Sequence, residues 1–207
     1  MPRCNRVLVS LTVAAAMCGP AAAENLVLNP GFETGDFTDW TVTGDGIAID
    51  NAFPNTGCCD AVFTATTTDP NGGVLSQTLS TEAGKSYTLS FAVLDEAGFS
   101  GDTFTVQFGG FSETITGDEA APPGNLPSLY TAETFIVPAL DIIGGATVLS
   151  FKGLNDPSLG IDWNLDDVSV TASAVPEPST WVLLALAFGG LAIQRQLKNQ
   201  RSRSLRA

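Results

Sequence analysis

Between Asn25 and Ala172 the apolar residues of this chain recur at every second position, the spacing of a half-buried strand and not of a helix. Ser86–Val93 alternates without a break: Tyr87, Leu89, Phe91 and Val93 fall on one face, and Ser86, Thr88, Ser90 and Ala92 on the other. Thr103–Phe108 repeats the pattern with Phe104, Val106 and Phe108, and Thr147, Leu149 and Phe151 fall together. Further strands are predicted over Asp60–Thr67, Val74–Leu79, Phe111–Thr116, Thr131–Val137 and Trp163–Thr171. Turn-forming runs separate them, among them Asp69-Pro70-Asn71-Gly72-Gly73, Ala83-Gly84-Lys85, Gly109-Gly110 and Gly144-Gly145. Gly117–Pro127, with two acids and three prolines, is expected to be a long loop. About 150 residues suffice to fill a core between two sheets. The expected fold is therefore all-β, a sandwich of the jelly-roll type over residues 24–173.

Charge narrows the function. From Glu24 to Ala174 there are 21 acids against two bases, Lys85 and Lys152, and no Arg. Such a surface cannot neutralise a phosphate backbone, so nucleic-acid binding is excluded. The chain has no His. That removes Ser-His-Asp hydrolases and His-ligated zinc enzymes.

The two ends read as addresses. Arg3 and Arg6 precede the apolar run Val7–Met17 and the small residues Ala21-Ala22-Ala23, the pattern of a signal peptide over 1–23. Its apolar run is shorter than the roughly 20 residues of a membrane span. At the other end, Val175-Pro176-Glu177-Pro178-Ser179-Thr180-Trp181 precedes the apolar run Val182–Ile193 and a tail with five bases and no acid. The prolines keep the neck extended, and the positive tail favours the cytoplasmic side, giving a single-span topology with the acidic domain outside.

Residues 174–207 resemble the PEP-CTERM sorting signal, with the motif Val175, Pro176, Glu177, Pro178, an apolar helix containing Gly189-Gly190, and a basic end in that order. The resemblance implies processing by an exosortase, a membrane transpeptidase-like protease. The product would be surface or extracellular-matrix protein in a Gram-negative, biofilm-forming bacterium that makes exopolysaccharide.

The outer domain also carries a resemblance. Asn25-Leu26-Val27-Leu28-Asn29-Pro30-Gly31-Phe32-Glu33 through Trp40, and Trp163-Asn164-Leu165-Asp166-Asp167-Val168, are similar to the opening and close of galactose-binding-like jelly rolls and carbohydrate-binding modules. Leu75–Leu79 and Gly84–Phe91 fit the middle. In those modules the opening Glu and a closing Asp hold a structural Ca²⁺, which implies Glu33 and Asp166 here, with Asp36 and Asp167 as further candidates. Strict alternation would place Asp166 on the face of Val168 and Val170. A carboxylate buried there needs a partner, and the domain has no Arg. A hard cation would satisfy it, and so would turn N–H groups.

Aromatic faces stack on sugars, and Trp40, Trp163, Tyr130, Phe53 and Phe99 are the candidates, although Trp40 and Trp163 also fit the core pattern. Cys58 and Cys59 are the only cysteines left after signal cleavage. In an oxidising compartment they bridge each other, link two chains or stay as thiols. Acid pairs such as Asp95-Glu96 and Asp118-Glu119 fit a polysaccharide hydrolase only remotely, since adjacent strand residues point to opposite faces. The expectation is a non-catalytic module associating with exopolysaccharide, or else a purely structural or adhesive matrix protein.

Overall fold

The computed structural model describes residues 23–64, 71–96, 101–117, 130–155 and 162–173. The chain divides into two compact units, Met1–Ala172 and Ser173–Ala207. The segment up to Ala22, where a signal peptide is expected, the sorting motif Val175–Pro178 and the apolar run after it, Phe99, and the loop expected over Gly117–Pro127 beyond its first residue lie outside the described residues.

Two five-stranded antiparallel sheets face each other. The first has the order β1 (Thr41–Thr43), β4 (Val74–Thr81), β9 (Gly145–Leu154), β6 (Thr103–Phe108), β7 (Phe111–Thr116). The second has the order β2 (Ile47–Asp50), β3 (Asp60–Phe63), β10 (Trp163–Ala172), β5 (Tyr87–Asp95), β8 (Thr131–Val137). β6, β7 and β8 fall where the alternation places them. β1 and β2 were not anticipated: at three and four residues they are too short to show a period, and each lies on a sheet edge. The chain crosses from one sheet to the other between them through Gly44 (φ 83°) and Gly46 (φ 78°), both in the left-handed region that residues with a Cβ resist.

The inward faces interlock through aromatic rings. Phe104 is fully buried, with Phe63, Trp163, Phe151 and Phe91 at ring-centroid distances of 5.3, 5.4, 5.9 and 6.2 Å. Leu75, Leu89, Leu149 and Leu165 close the core around them. At one end of the sandwich Tyr87 pairs with both Val137 and Ala172, and its ring meets Phe108 at 5.9 Å. At the other end Trp163 pairs with Phe63 and Asp95, and Gly153 passes so close that an added Cβ would stand 2.8 Å from Phe63.

One bulge corrects the face expected for Asp166. Asp166 lies opposite Ala92, and Ser169 opposite Ser90, so β10 takes three steps where β5 takes two. Asp167 is the extra residue, with φ 52°. In a period-two strand a one-residue insertion exchanges the faces. Val168 and Val170 therefore face the core, while Asp166 points outward with Asn164.

Candidate functional site

Asp166 is buried although it points away from the core, because residues 51–59 close over it. The backbone N–H groups of Asn55 and Thr56 each donate to Asp166 Oδ2 at 3.0 Å, and that of Asp167 donates to Oδ1 at 2.7 Å. Asp167, turned by the bulge, accepts from the Asn55 amide and the Thr56 hydroxyl, both at 2.7 Å. The Glu33 carboxylate accepts the Cys58 N–H at 3.1 and 3.2 Å. Loss of solvent raises the Asp166 carboxyl to about 6, against the pull of the three N–H donors.

Sequence positions 33, 166 and 167 thus meet, and Gly31 is the reason they can. A Cβ on Gly31 would stand 3.3 Å from Asp166 Oδ1, 3.6 Å from Asp167 Oδ1 and 3.7 Å from Glu33 Cγ, so the missing side chain lets these three residues pack closely about one backbone position. Gly57 is equally constrained: its φ is 67°, and a Cβ there would overlap the Glu33 carboxylate. Among the described residues no three His, Cys, Asp or Glu side chains stand at ligand spacing. A cation here would need backbone carbonyls beside the carboxylates, which the chemistry of Ca²⁺ allows. Asp36 is engaged in its own loop. It accepts from the Thr34 hydroxyl at 2.8 Å and the Thr38 N–H at 2.9 Å, and these bonds to Thr38 and Thr34 hold it below the usual carboxylate range.

Cys58 and Cys59 are joined to each other, their Cα atoms 3.8 Å apart. The bridge follows directly on the residues that hold Asp166 and Glu33. Asn55, Thr56 and Gly57 went unread in the sequence, and Gly31 was read only as part of the opening motif. Small residues in an irregular segment announce a turn, and only the fold shows which carboxylate the turn embraces.

Of the aromatic candidates, Trp40 and Trp163 belong to the core. Trp40 packs on Phe32 and Phe151 and donates its indole N–H to Asn29 O at 3.0 Å, while Trp163 is fully buried against Phe104. Neither presents a face to a sugar. Phe53 is 43% exposed on the loop between β2 and β3. Tyr130 is half-buried just before β8, and its hydroxyl donates to Asp60 Oδ2. Asn164 Nδ2 donates to the same oxygen at 2.8 Å. Burial keeps the Tyr130 phenol protonated far above its ordinary range, reinforced by Asp60. Burial also raises Asp60, Asp162 and Glu96.

Tyr130 stands at one end of the outer face of the second sheet. Paired rows run across that face: Ala92 with Ala132 and Asp166, Ser90 with Thr134 and Ser169, Thr88 with Ile136 and Thr171. Between the buried Asp166 at one end and the exposed Ile136 at the other, the floor consists of small, mostly hydroxyl-bearing side chains.

The described domain is a two-sheet β-sandwich, similar in fold to solved carbohydrate-binding modules, on a chain that carries a sorting motif. Residues 174–196 match the PEP-CTERM protein-sorting motif. The motif implies export, membrane anchoring before processing, and processing by an exosortase. TmCBM61, solved in complex with β-1,4-galactotriose, is similar at a TM-score of 0.52 and 18% identity, covering 73% of this chain and 100% of its own. The CBM22-1 xylan-binding domain of Paenibacillus barcinonensis Xyn10C is similar at a TM-score of 0.50 and 15% identity, covering 76% of this chain and 99% of its own. No curated protein matches the chain significantly.

Proposed function

We propose that the mature protein is a non-catalytic surface or extracellular-matrix module of a Gram-negative bacterium that associates with exopolysaccharide. The observation that carries this reading is the outer face of the second sheet. Its floor, Thr88, Ser90, Ala132, Thr134 and Ser169, is built of small uncharged side chains, bounded at one end by the buried pair Ala92 and Asp166 and by the Tyr130 ring on Asp60. An extended neutral glycan offers matching hydroxyls and C–H faces. The net charge of the domain, 21 acids against two bases, repels uronate-rich chains and so favours neutral ones. A glycan array carrying neutral and acidic polysaccharides tests the proposal. Binding to neutral chains is expected, and Ala132→Arg, placed on the floor, abolishes it without lowering the melting temperature. A protein that binds no glycan on the array is a structural matrix component instead.

The same proposal includes a structural Ca²⁺ between Glu33 and Asp166, with Asp167 at its margin. The close approach of Asp166, Asp167 and Glu33 to Gly31 supports this. The ion would tie the opening loop to β10 and neutralise a buried carboxylate for which the domain supplies no Arg.

A further inference from the structure

The loop that closes over Asp166 ends on the Cys58–Cys59 bridge. A bridge between neighbours closes the smallest loop a chain can form, so it restrains the unfolded chain least and serves poorly as a general staple. Its consequence is local. Cys59 is buried in the core, whereas Cys58 is exposed, so the bridge ties a surface residue to one set in the packed interior. Cys58 is also held by its own N–H, which donates to the Glu33 carboxylate. Gly57, at φ 67°, lies against that carboxylate where no Cβ fits. Immediately before it, Thr56 and Asn55 turn their N–H groups to Asp166 and their side chains to Asp167. The residues that cover Asp166 are thus fastened to the core through one sulfur–sulfur bond and one charged hydrogen bond, with a glycine as the joint between.

Two features open this bond to exchange. Cys58 is on the surface, within reach of a reductant. Neighbouring Cα atoms across a trans peptide stand about 3.8 Å apart, below the roughly 4.4–6.8 Å of ordinary bridges, and bridges held outside that range are the more readily reduced. We infer that Cys58–Cys59 is a thiol–disulfide exchange site, a latch whose reduction by a protein dithiol frees the loop 51–59 and uncovers Asp166. One thiolate of the dithiol attacks Cys58 Sγ, the sulfur–sulfur bond breaks, and the Cys59 sulfur leaves and takes up a proton. The second thiolate then attacks the mixed disulfide, releasing Cys58 as a thiol after protonation and closing the dithiol's own disulfide. Two electrons and two protons pass to the protein. Cys59 stays in the core, where a thiol packs as a small apolar group. β2 and β3 remain paired from Ile47 with Phe63 to Asp50 with Asp60, so the sandwich survives the opening. Asp166 lies in the row of Ala92 and Ala132, so the state of the bridge sets whether a carboxylate is bared at that end of the second sheet's outer face. The latch rests on the bridge and the loop, and on neither glycan nor calcium.

The test uses protein isolated from its exported state, held in chelator with oxidised dithiothreitol, reduced dithiothreitol or reduced thioredoxin. Thiol labelling follows the bridge, and amide hydrogen exchange follows the loop. Both reductants should expose the Cys58 and Cys59 thiols while the domain stays folded. Protection at the Asn55, Thr56 and Cys58 amides should then be lost, with β4, β5 and β9 unchanged. Cys58→Ser, at an exposed position, should show the open pattern with or without reductant, and wild-type protein returned to oxidised dithiothreitol should recover its protection. A bridge that neither reductant opens in the folded protein overturns the inference. So does full reduction with the three loop amides still protected. Protection lost together throughout the domain would make the bridge a staple of the whole fold, which overturns the latch as well.

Discussion

At the residue scale, the Asp166 carboxylate decides how the two ends of the domain are joined. Three N–H donors from Asn55, Thr56 and Asp167 reach it, yet it keeps a raised proton affinity because solvent is absent. Those donors alone satisfy most of the carboxylate, so calcium, if bound, adds to a bonded loop and does not create it. The expectation is a rise in melting temperature with millimolar Ca²⁺ relative to chelator. An ion held only by the folded state stabilises by about 2.7 kcal/mol at a hundredfold excess over its dissociation constant. At about 2–4 °C per kcal/mol the shift is several degrees for a domain this size. Asp166→Ala should abolish the shift and lower the chelator baseline as well, because it strands the Asn55 and Thr56 N–H groups. Superimposable wild-type curves with ion and with chelator would show that the protein alone satisfies these groups. The pairing of Glu33 with Asp166 followed from resemblance; both residues lie beside Gly31, with the Glu33 carboxylate turned to the Cys58 N–H. The direction of Asp166 was not legible, since a bulge at Asp167 leaves no mark in an alternating pattern until the partner strand is known.

At the scale of elements, long alternating segments were read well and short or irregular ones were not. β6, with Phe104, Val106 and Phe108 in step, could be assigned from six residues because its burial is one-sided. β1 depends on β4, two strands further along the chain than its neighbour β2, and β2 on β3 across the irregular residues 51–59, and both carry too few residues to reveal their period. The segment from Asn51 to Cys59 has no strand at all, and its bonds run to positions 33, 166 and 167. Trp40 and Trp163 illustrate the same limit. An aromatic ring suits a core and a sugar platform alike, and only the opposing sheet settles which. The Cys58–Cys59 bridge predicts a specific behaviour of this segment. Non-reducing gels of protein isolated from its exported state should show a monomer, with thiol labelling low until a dithiol reductant is added. A disulfide-linked dimer that collapses on reduction would mean that the cysteines pair between chains.

At the scale of the whole molecule, charge and burial together set the pH of greatest stability. The domain carries 21 acids against two bases, and one of those, Lys85, is spent on Glu82. Asp60, Asp162 and Glu96 lose solvent in the fold, and each is pushed above its ordinary carboxylate value by that burial. A carboxyl raised in the folded state binds its proton more tightly there than in the unfolded chain. Its contribution is therefore fully present below the unfolded value, near 4. It is lost as pH rises through the higher folded value. Self-repulsion among the other acids acts in the same direction, since it grows as they ionise. The melting temperature measured in chelator should accordingly fall as pH is raised from about 4 toward neutrality, the reverse of a protein whose carboxylates are salt-bridged. Asp60→Asn should flatten part of that slope, because an amide keeps a neutral group beside Tyr130 and Asn164 and removes the proton. A melting temperature that climbs steadily from pH 4 to 7 in chelator would show that these three carboxyls stay ionised at little cost, and that cations or water penetrate the acid cluster more freely than their burial suggests.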